Sequence, residues 1–252
     1  MSKGKFTLLI GDDDILLAKA LKNIIKAIRD NETKSFIMIN GYRSSSPEFR
    51  NTKAGLIFQS PEKISYFNNA NTFLNSITLR AITFMSCMIF NTDILTSTLN
   101  LEEGTGSHFI QTYWLLKVLK TFPNSAIYPY PWILRGNAES RLTQDMDCNH
   151  NIIGLYSKDS TLIVHLEFYS LNLPIICKQL NYRILTARKL FCRYLISLSM
   201  SILYEKIKGN LGDIIKREII YRYTKKMFIS WAVAYPIIIF PETEKLNPLL
   251  YF

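Results

Sequence analysis

Three consecutive carboxylates, Asp12, Asp13 and Asp14, follow the apolar run Phe6-Thr7-Leu8-Leu9-Ile10 and a single glycine, Gly11. Like charges at this spacing repel, and they are held together at low cost only with something cationic between them. Hard oxygen ligands suit a divalent metal that also carries phosphate oxygens. A buried strand ending in acids delivers them to the crevice where α/β sheets bind ligands. The pattern therefore points to a metal–diphosphate site. The competing reading is a solvated acidic helix start, which the helix dipole favours in any case.

Other groups able to do chemistry lie further along. Glu102 and Glu103 stand in the loop Asn100-Leu101-Glu102-Glu103-Gly104-Thr105-Gly106-Ser107, just before His108. The glycines there lack the spacing of a nucleotide-binding loop and read as a flexible segment. Arg135 and Asn137 sit past the end of an apolar run and are positioned to meet an anion. Trp114, Trp132 and the tyrosines near them offer faces for stacking on sugars, although an aromatic at helical spacing such as Trp114 is more often core. His150 and His165 have no partner at useful spacing.

The elements that must position these groups are read from periodicity. Residues 5–11 read as a buried strand. Ile15 to Arg29 has apolar residues at helical spacing, with Lys19, Lys22 and Lys26 on the other face. Phe36 to Tyr42 reads as a second strand, and 43–55 as a loop. Pro61 to Phe67 opens a helix, with proline in its first turn. Ile82 to Phe90 is a dense apolar run expected to be a central strand. Ser107 caps a helix from about His108 to Lys120. Ser125 to Leu134 is expected at a sheet edge because of Pro129 and Pro131. From about residue 160 to 226 the pattern is helical. The expectation is an α/β chain with a catalytic portion over 1–150 and a helical region over 151–252.

Composition narrows the class. The chain has 252 residues, 48% of them hydrophobic, with 14 Tyr and 15 Phe. Mean hydropathy is slightly above zero, too apolar for disorder and low for a polytopic membrane protein. The net charge of +10 is unevenly placed. Residues 178–226 carry 12 Lys/Arg against 3 Asp/Glu, whereas residues 1–177 carry 17 against 15. A basic, apolar helical segment suits an anionic membrane surface, and its apolar content argues against nucleic acid. The bland reading is a helical cap with a solvated basic face. The widely spaced Cys87, Cys148, Cys177 and Cys192 form no metal-type pair and read as reduced thiols. No signal peptide is expected, since Met1-Ser2-Lys3-Gly4-Lys5 runs directly into the first strand.

Strand, Gly11-Asp12-Asp13-Asp14, then an amphipathic helix resembles the centre of a family 2 glycosyltransferase of the GT-A fold. Ser86-Cys87-Met88-Ile89-Phe90-Asn91, Gly104-Thr105-Gly106-Ser107-His108, and Tyr128-Pro129-Tyr130-Pro131 running into Arg135-Gly136-Asn137 follow in the same order as in that family. The likeness is strongest to the abequosyltransferase type and covers roughly residues 3–140. It implies a Rossmann-like mixed sheet that is N-terminally truncated, lacking the donor-base half, with a basic C-terminal helical region. It implies Mg²⁺ or Mn²⁺ on Asp12 and Asp14 with Asp13 supporting at the donor diphosphate, and His108 completing the shell or contacting donor phosphate, a structural hydrogen-bonding residue at the helix start being the alternative; Arg135 would contact the diphosphate or the acceptor. Glu103, or failing it Glu102, would be the base of an inverting transfer, and two surface acids are the alternative. The implied partners are a nucleotide-diphosphate sugar donor and an undecaprenyl-diphosphate-linked O-antigen oligosaccharide, met peripherally at the cytoplasmic face of the inner membrane. The alternative function is a non-catalytic remnant acting as a membrane or interaction module. Response-regulator receiver domains also pair an early strand with acids, but they need a phosphoacceptor Asp after the third strand. Asn51 to Phe58 contains no acid.

Overall fold

Phe36-Ile37-Met38-Ile39 is fully buried on both alternating faces, as an unbroken apolar run requires when a sheet is covered on two sides. The computed structural model describes residues 2–42, 55–58, 61–77, 79–99, 109–136 and 173–182. All of these belong to one unit, Met1–Leu142 with Leu173–Leu190. In chain order the elements are β1 (Phe6–Leu8), β2 (Ile15–Leu16), α1 (Ala20–Arg29), β3 (Phe36–Tyr42), β4 (Ser65–Phe67), α2 (Ala70–Ser76), α3 (Leu79–Thr83), a 3-10 turn (Met85–Cys87), β5 (Met88–Asn91), α4 (Thr92–Thr98), α5 (Ile110–Thr121), β6 (Ser125–Leu134) and α6 (Leu173–Gln179).

The fold is α/β with one mixed sheet. Its strand order is β1-β5-β3-β6-β2, and β4 also pairs with β6. β5 is antiparallel to both β1 and β3, while β3 and β6 are parallel. β1, β3 and β6 therefore point the same way and end on the same rim. One face carries α2, whose Phe73 meets Phe36 edge-on at 5.7 Å; Phe36 also packs on Phe90 of β5 at 4.9 Å. On the other face α1 buries Ala20, Ile24 and Ala27. Just past α1, Asn31 Nδ2 donates to Tyr128 Oη of β6 at 2.6 Å. Among the described residues no helix is long and apolar enough to cross a membrane.

Several elements differ from the periodicity. β1 is three half-buried residues at the edge of the described sheet, not a buried strand over 5–11, because β5 is its one strand neighbour there. The helix begins at Ala20, not Ile15. Ile15 and Leu16 pair with Leu134 and Ile133 of β6, and Lys19 breaks the helix with a left-handed φ of 65°. The helix expected from Pro61 is instead strand β4, and α2 starts at Ala70. There the Asn69 side chain accepts from the Asn71 and Thr72 amides, the usual cap chemistry. Of Ile82 to Phe90, only Met88 onward is strand; a helix and a 3-10 turn fill the rest. α5 starts at Ile110, within two residues of expectation.

β6 is interior, not an edge. β3 lies along one side, while β4 covers Ser125–Ile127 and β2 covers Ile133–Leu134 on the other. Pro129 and Pro131 fall in the gap between those two partners, where a missing N–H costs no ladder bond on that side. Ten residues of β6 face seven of β3, and the pairing register shifts around Asn40.

Truncating the ring at the centre of the core, Phe36→Ala, is expected to cost about 3–5 kcal/mol, read from chemical denaturation. A second prediction concerns alkali. Burial raises the thiols of Cys87 and Cys177, the latter to about 11. Burial also raises the phenol of Tyr128 to about 12 and lifts that of Tyr182. These groups stay protonated in the fold while the unfolded chain ionises at ordinary values, from about pH 8.5 upward. Their contribution is complete below that range and is lost as pH climbs from about 8.5 toward 12. The urea midpoint should hold between about pH 7 and 8 and fall steadily above about pH 9.

Candidate metal–diphosphate site

The acidic segment crosses the sheet. β1 stands at one end of the strand order and β2 at the other, so Leu9 to Asp14 must travel along the rim where β3 and β6 also end. That rim is where open α/β sheets take ligands. The link is short. Extended chain covers about 3.4 Å per residue, and four strand spacings measure about 19 Å in a flat sheet. A turn, closed by the Asp14 amide donating to Gly11 O at 3.2 Å, uses up part of the reach. The segment is thereby held close against the rim.

Asp14 fixes it there. The Ser86 hydroxyl, in the 3-10 turn that feeds β5, donates to Asp14 Oδ2 and itself accepts from the Gly11 amide at 2.8 Å. The Gly136 amide, just past β6, donates to Asp14 Oδ1 at 2.9 Å. One carboxylate thus joins the ends of three chain segments. Each oxygen has a second lone pair left over, so the carboxylate can still meet a cation. The charge of Asp14 also reaches the neighbouring Cys87, whose thiol is raised first by burial and then by this carboxylate. Cys87 is therefore an inert, protonated side chain buried next to Ser86.

Two glycines make room. A Cβ on Gly11 would stand 2.9 Å from Asp14 Oδ2 and 3.2 Å from Asp13 Oδ1. The carboxylates of Asp13 and Asp14 thus converge on one small volume above Gly11. A Cβ on Gly136 would lie 2.0 Å from the Asp13 carbonyl oxygen and 2.8 Å from Asp13 Cβ. The chain after β6 can approach the acids only as glycine. Asp12 is exposed, and Asp13 and Asp14 are half-buried. Arg135 is exposed on the same rim, with its amide donating to Tyr42 O at 2.9 Å.

The expected residues are therefore only partly gathered. Asp12, Asp13, Asp14 and Arg135 share the rim. Glu102, Glu103, His108 and Asn137 lie outside the described residues, as do Cys148, His150, His165, Cys192 and residues 183–226 of the basic segment. Among the described residues no group of three or more His, Cys, Asp and Glu side chains gathers as a metal cage. Mg²⁺ does not need one; it is commonly held by one or two carboxylates together with substrate phosphates and water. The Asp13–Asp14 pair fits that donor set. Trp132 is packed between Tyr128 and Tyr130, with ring centroids 5.5 and 6.3 Å away, so Tyr130, 49% exposed, is the ring in that group open to a ligand. Trp114 lies on α5 with its indole Nε1 buried and unpartnered.

Ser86 and Gly136 are the residues that sequence reasoning passed over. Their partner is distant in the chain, 72 residues for Ser86 and 122 for Gly136. The one local signal was a glycine two residues past a strand end.

No family model matches the chain, and no curated protein is significantly similar to it.

The close approach at Gly136 predicts that Gly136→Ala lowers the unfolding free energy by about 1–3 kcal/mol. Gly11→Ala meets carboxylate tips rather than backbone and should cost less. Thermal or urea unfolding of the two variants side by side checks the order, and equal costs would contradict this account of the rim.

Proposed function

We propose that the chain is a metal-dependent glycosyltransferase with a GT-A-type sheet. It transfers a hexose, of the dideoxy type that the resemblance suggests, from a nucleotide-diphosphate donor to a lipid-linked O-antigen intermediate, with inversion. The observation that carries the reading is the convergence of Asp13 and Asp14 at the rim of a mixed α/β sheet where β1, β3 and β6 end. The order of motifs along residues 3–140 supports the finer assignment.

On this reading Asp14 and, in place of the Asp12 that the resemblance implies, Asp13 would hold Mg²⁺ or Mn²⁺, because the Asp13 and Asp14 carboxylates are the two that approach each other beside Gly11. Asp12 supports them from the solvent side, and His108 is a further ligand. A divalent cation held there would supply positive charge to offset that of the departing nucleoside diphosphate. Ser86 and Gly136 keep the Asp14 carboxylate in one orientation, so little reorganisation accompanies binding. Arg135, a fixed positive charge on the rim, draws the diphosphate toward the acids. Glu103, with Glu102 as the second choice, takes the acceptor hydroxyl's proton as the sugar carbon is attacked. The acceptor's lipid carrier would bring the protein to the cytoplasmic face of the inner membrane, where the basic segment 178–226 meets anionic headgroups.

A second reading, a non-catalytic remnant, is favoured by a specific observation. Asp14 accepts hydrogen bonds on both oxygens, which is sufficient reason for an acid to sit there without any metal.

Asp13 separates the two, because its carboxylate carries no hydrogen bond among the described residues. Calorimetry with Mn²⁺ and cytidine diphosphate should show metal-dependent binding. Removing one carboxylate charge next to a dication should weaken that binding about 30- to 700-fold, corresponding to roughly 2–4 kcal/mol. Asp13→Ala should show this loss with an unchanged melting midpoint, whereas Asp14→Ala should lose both binding and stability. Binding by Asp13→Ala equal to wild type, or no binding by wild type, would leave the remnant.

A further inference from the structure

Helix α1 carries a second surface with a different chemistry. Ala20, Ile24 and Ala27 face the sheet. Beside that buried stripe Leu21 and Ile25 stand 59% and 42% exposed, and Ile28 completes their ridge at half burial. One residue on, at the same i, i+4, i+7 spacing, Lys22, Lys26 and Arg29 form a parallel exposed ridge. Successive residues are about 100° apart around a helix, so the aliphatic and basic ridges lie side by side. Lys19 adds a fourth positive charge at the helix start, and no acid occurs from Ile15 to Arg29. The nearest acids following the helix are Asp30, just past its last turn, and Glu32, which Lys5 engages at 2.7 Å.

We infer that α1 docks the protein on an anionic lipid surface. Charge complementarity selects the occupant: Arg29 already acts on Glu32, but Lys22 and Lys26 stand on a helix with no acid of its own, and such a ridge favours negative groups opposite it. The adjoining aliphatic ridge selects a lipid surface over a nucleic acid, whose phosphates would leave Leu21 and Ile25 in water. Interfacial helices bury such side chains at the headgroup boundary while neighbouring lysines reach the phosphates. This surface is distinct from the acidic rim and does not depend on any transferase chemistry there. It is also separate from the basic segment 178–226, which the variants below leave intact.

The test is sedimentation of the full chain with phosphatidylcholine vesicles, with and without phosphatidylglycerol. Wild type should bind the anionic vesicles and release as salt is raised. Neutralising the ridge in Lys22→Gln/Lys26→Gln/Arg29→Gln should weaken binding on the order of a hundredfold, at about fivefold per basic residue. Leu21→Ser/Ile25→Ser should weaken it about tenfold. All five side chains point outward, so the melting midpoint serves as the folding control. Binding of either variant within about twofold of wild type overturns the inference. Loss in the charge variant alone would mean that α1 meets a polyanion without insertion, which also overturns the lipid surface.

Discussion

The Asp14 carboxylate is the interaction on which the rim depends. Its two oxygens hold Ser86 and Gly136, and the Ser86 hydroxyl passes the connection on to the buried Gly11 amide. The turn after β1, the entry to β5 and the exit from β6 are fastened by one side chain. A charged acceptor makes stronger hydrogen bonds than a neutral one, and leaving the Gly11 amide unpaired would cost about 1–3 kcal/mol. The same carboxylate places Asp13 against Gly136 and so determines where negative charge is presented. Structural duty and candidate chemistry meet in adjacent residues: Asp14 is tied on both oxygens, and the Asp13 carboxylate carries no hydrogen bond among the described residues.

Topology explains why the acids are at a rim at all. β1, β3 and β6 run in one direction, and the antiparallel β5 inserted between β1 and β3 begins where they end. Four chain ends are thereby brought to one side of the sheet. The link between β1 and β2 crosses that side because its two strands occupy opposite ends of the order.

Local chemistry made some of this legible in the sequence. Phe36–Ile39 is an apolar run covered on both faces, and Phe36–Tyr42 forms the strand its composition predicts. The helical repeat through Ile24, Ala27 and Ile28 is real. The helix starts later than the repeat alone predicts, because Ile15 and Leu16 fit the same repeat but are captured by β6, a partner more than a hundred positions away. Pro129 and Pro131 are hostile to ladder pairing, yet the strand is interior because its neighbours on one side stop short of them. Pro61 suggested a helix start, whereas the capping oxygen that begins one belongs to Asn69. The acids themselves were conspicuous. Their fastening to Ser86 and Gly136 was not, since no spacing rule links residues so far apart.

The interrupted side of β6 has a consequence for how the chain behaves when it is concentrated or partly unfolded. A ten-residue strand rich in aromatic and β-branched side chains would ordinarily be a template for intermolecular stacking. Here its outer side is split into two short pairing windows, and the interval between them contains two residues with no amide hydrogen to offer. An incoming strand would find too few consecutive donors to grow a ladder. Pro129 and Pro131 thus act as gatekeepers against fibre formation, a protection that would remain even if β2 and β4 frayed away.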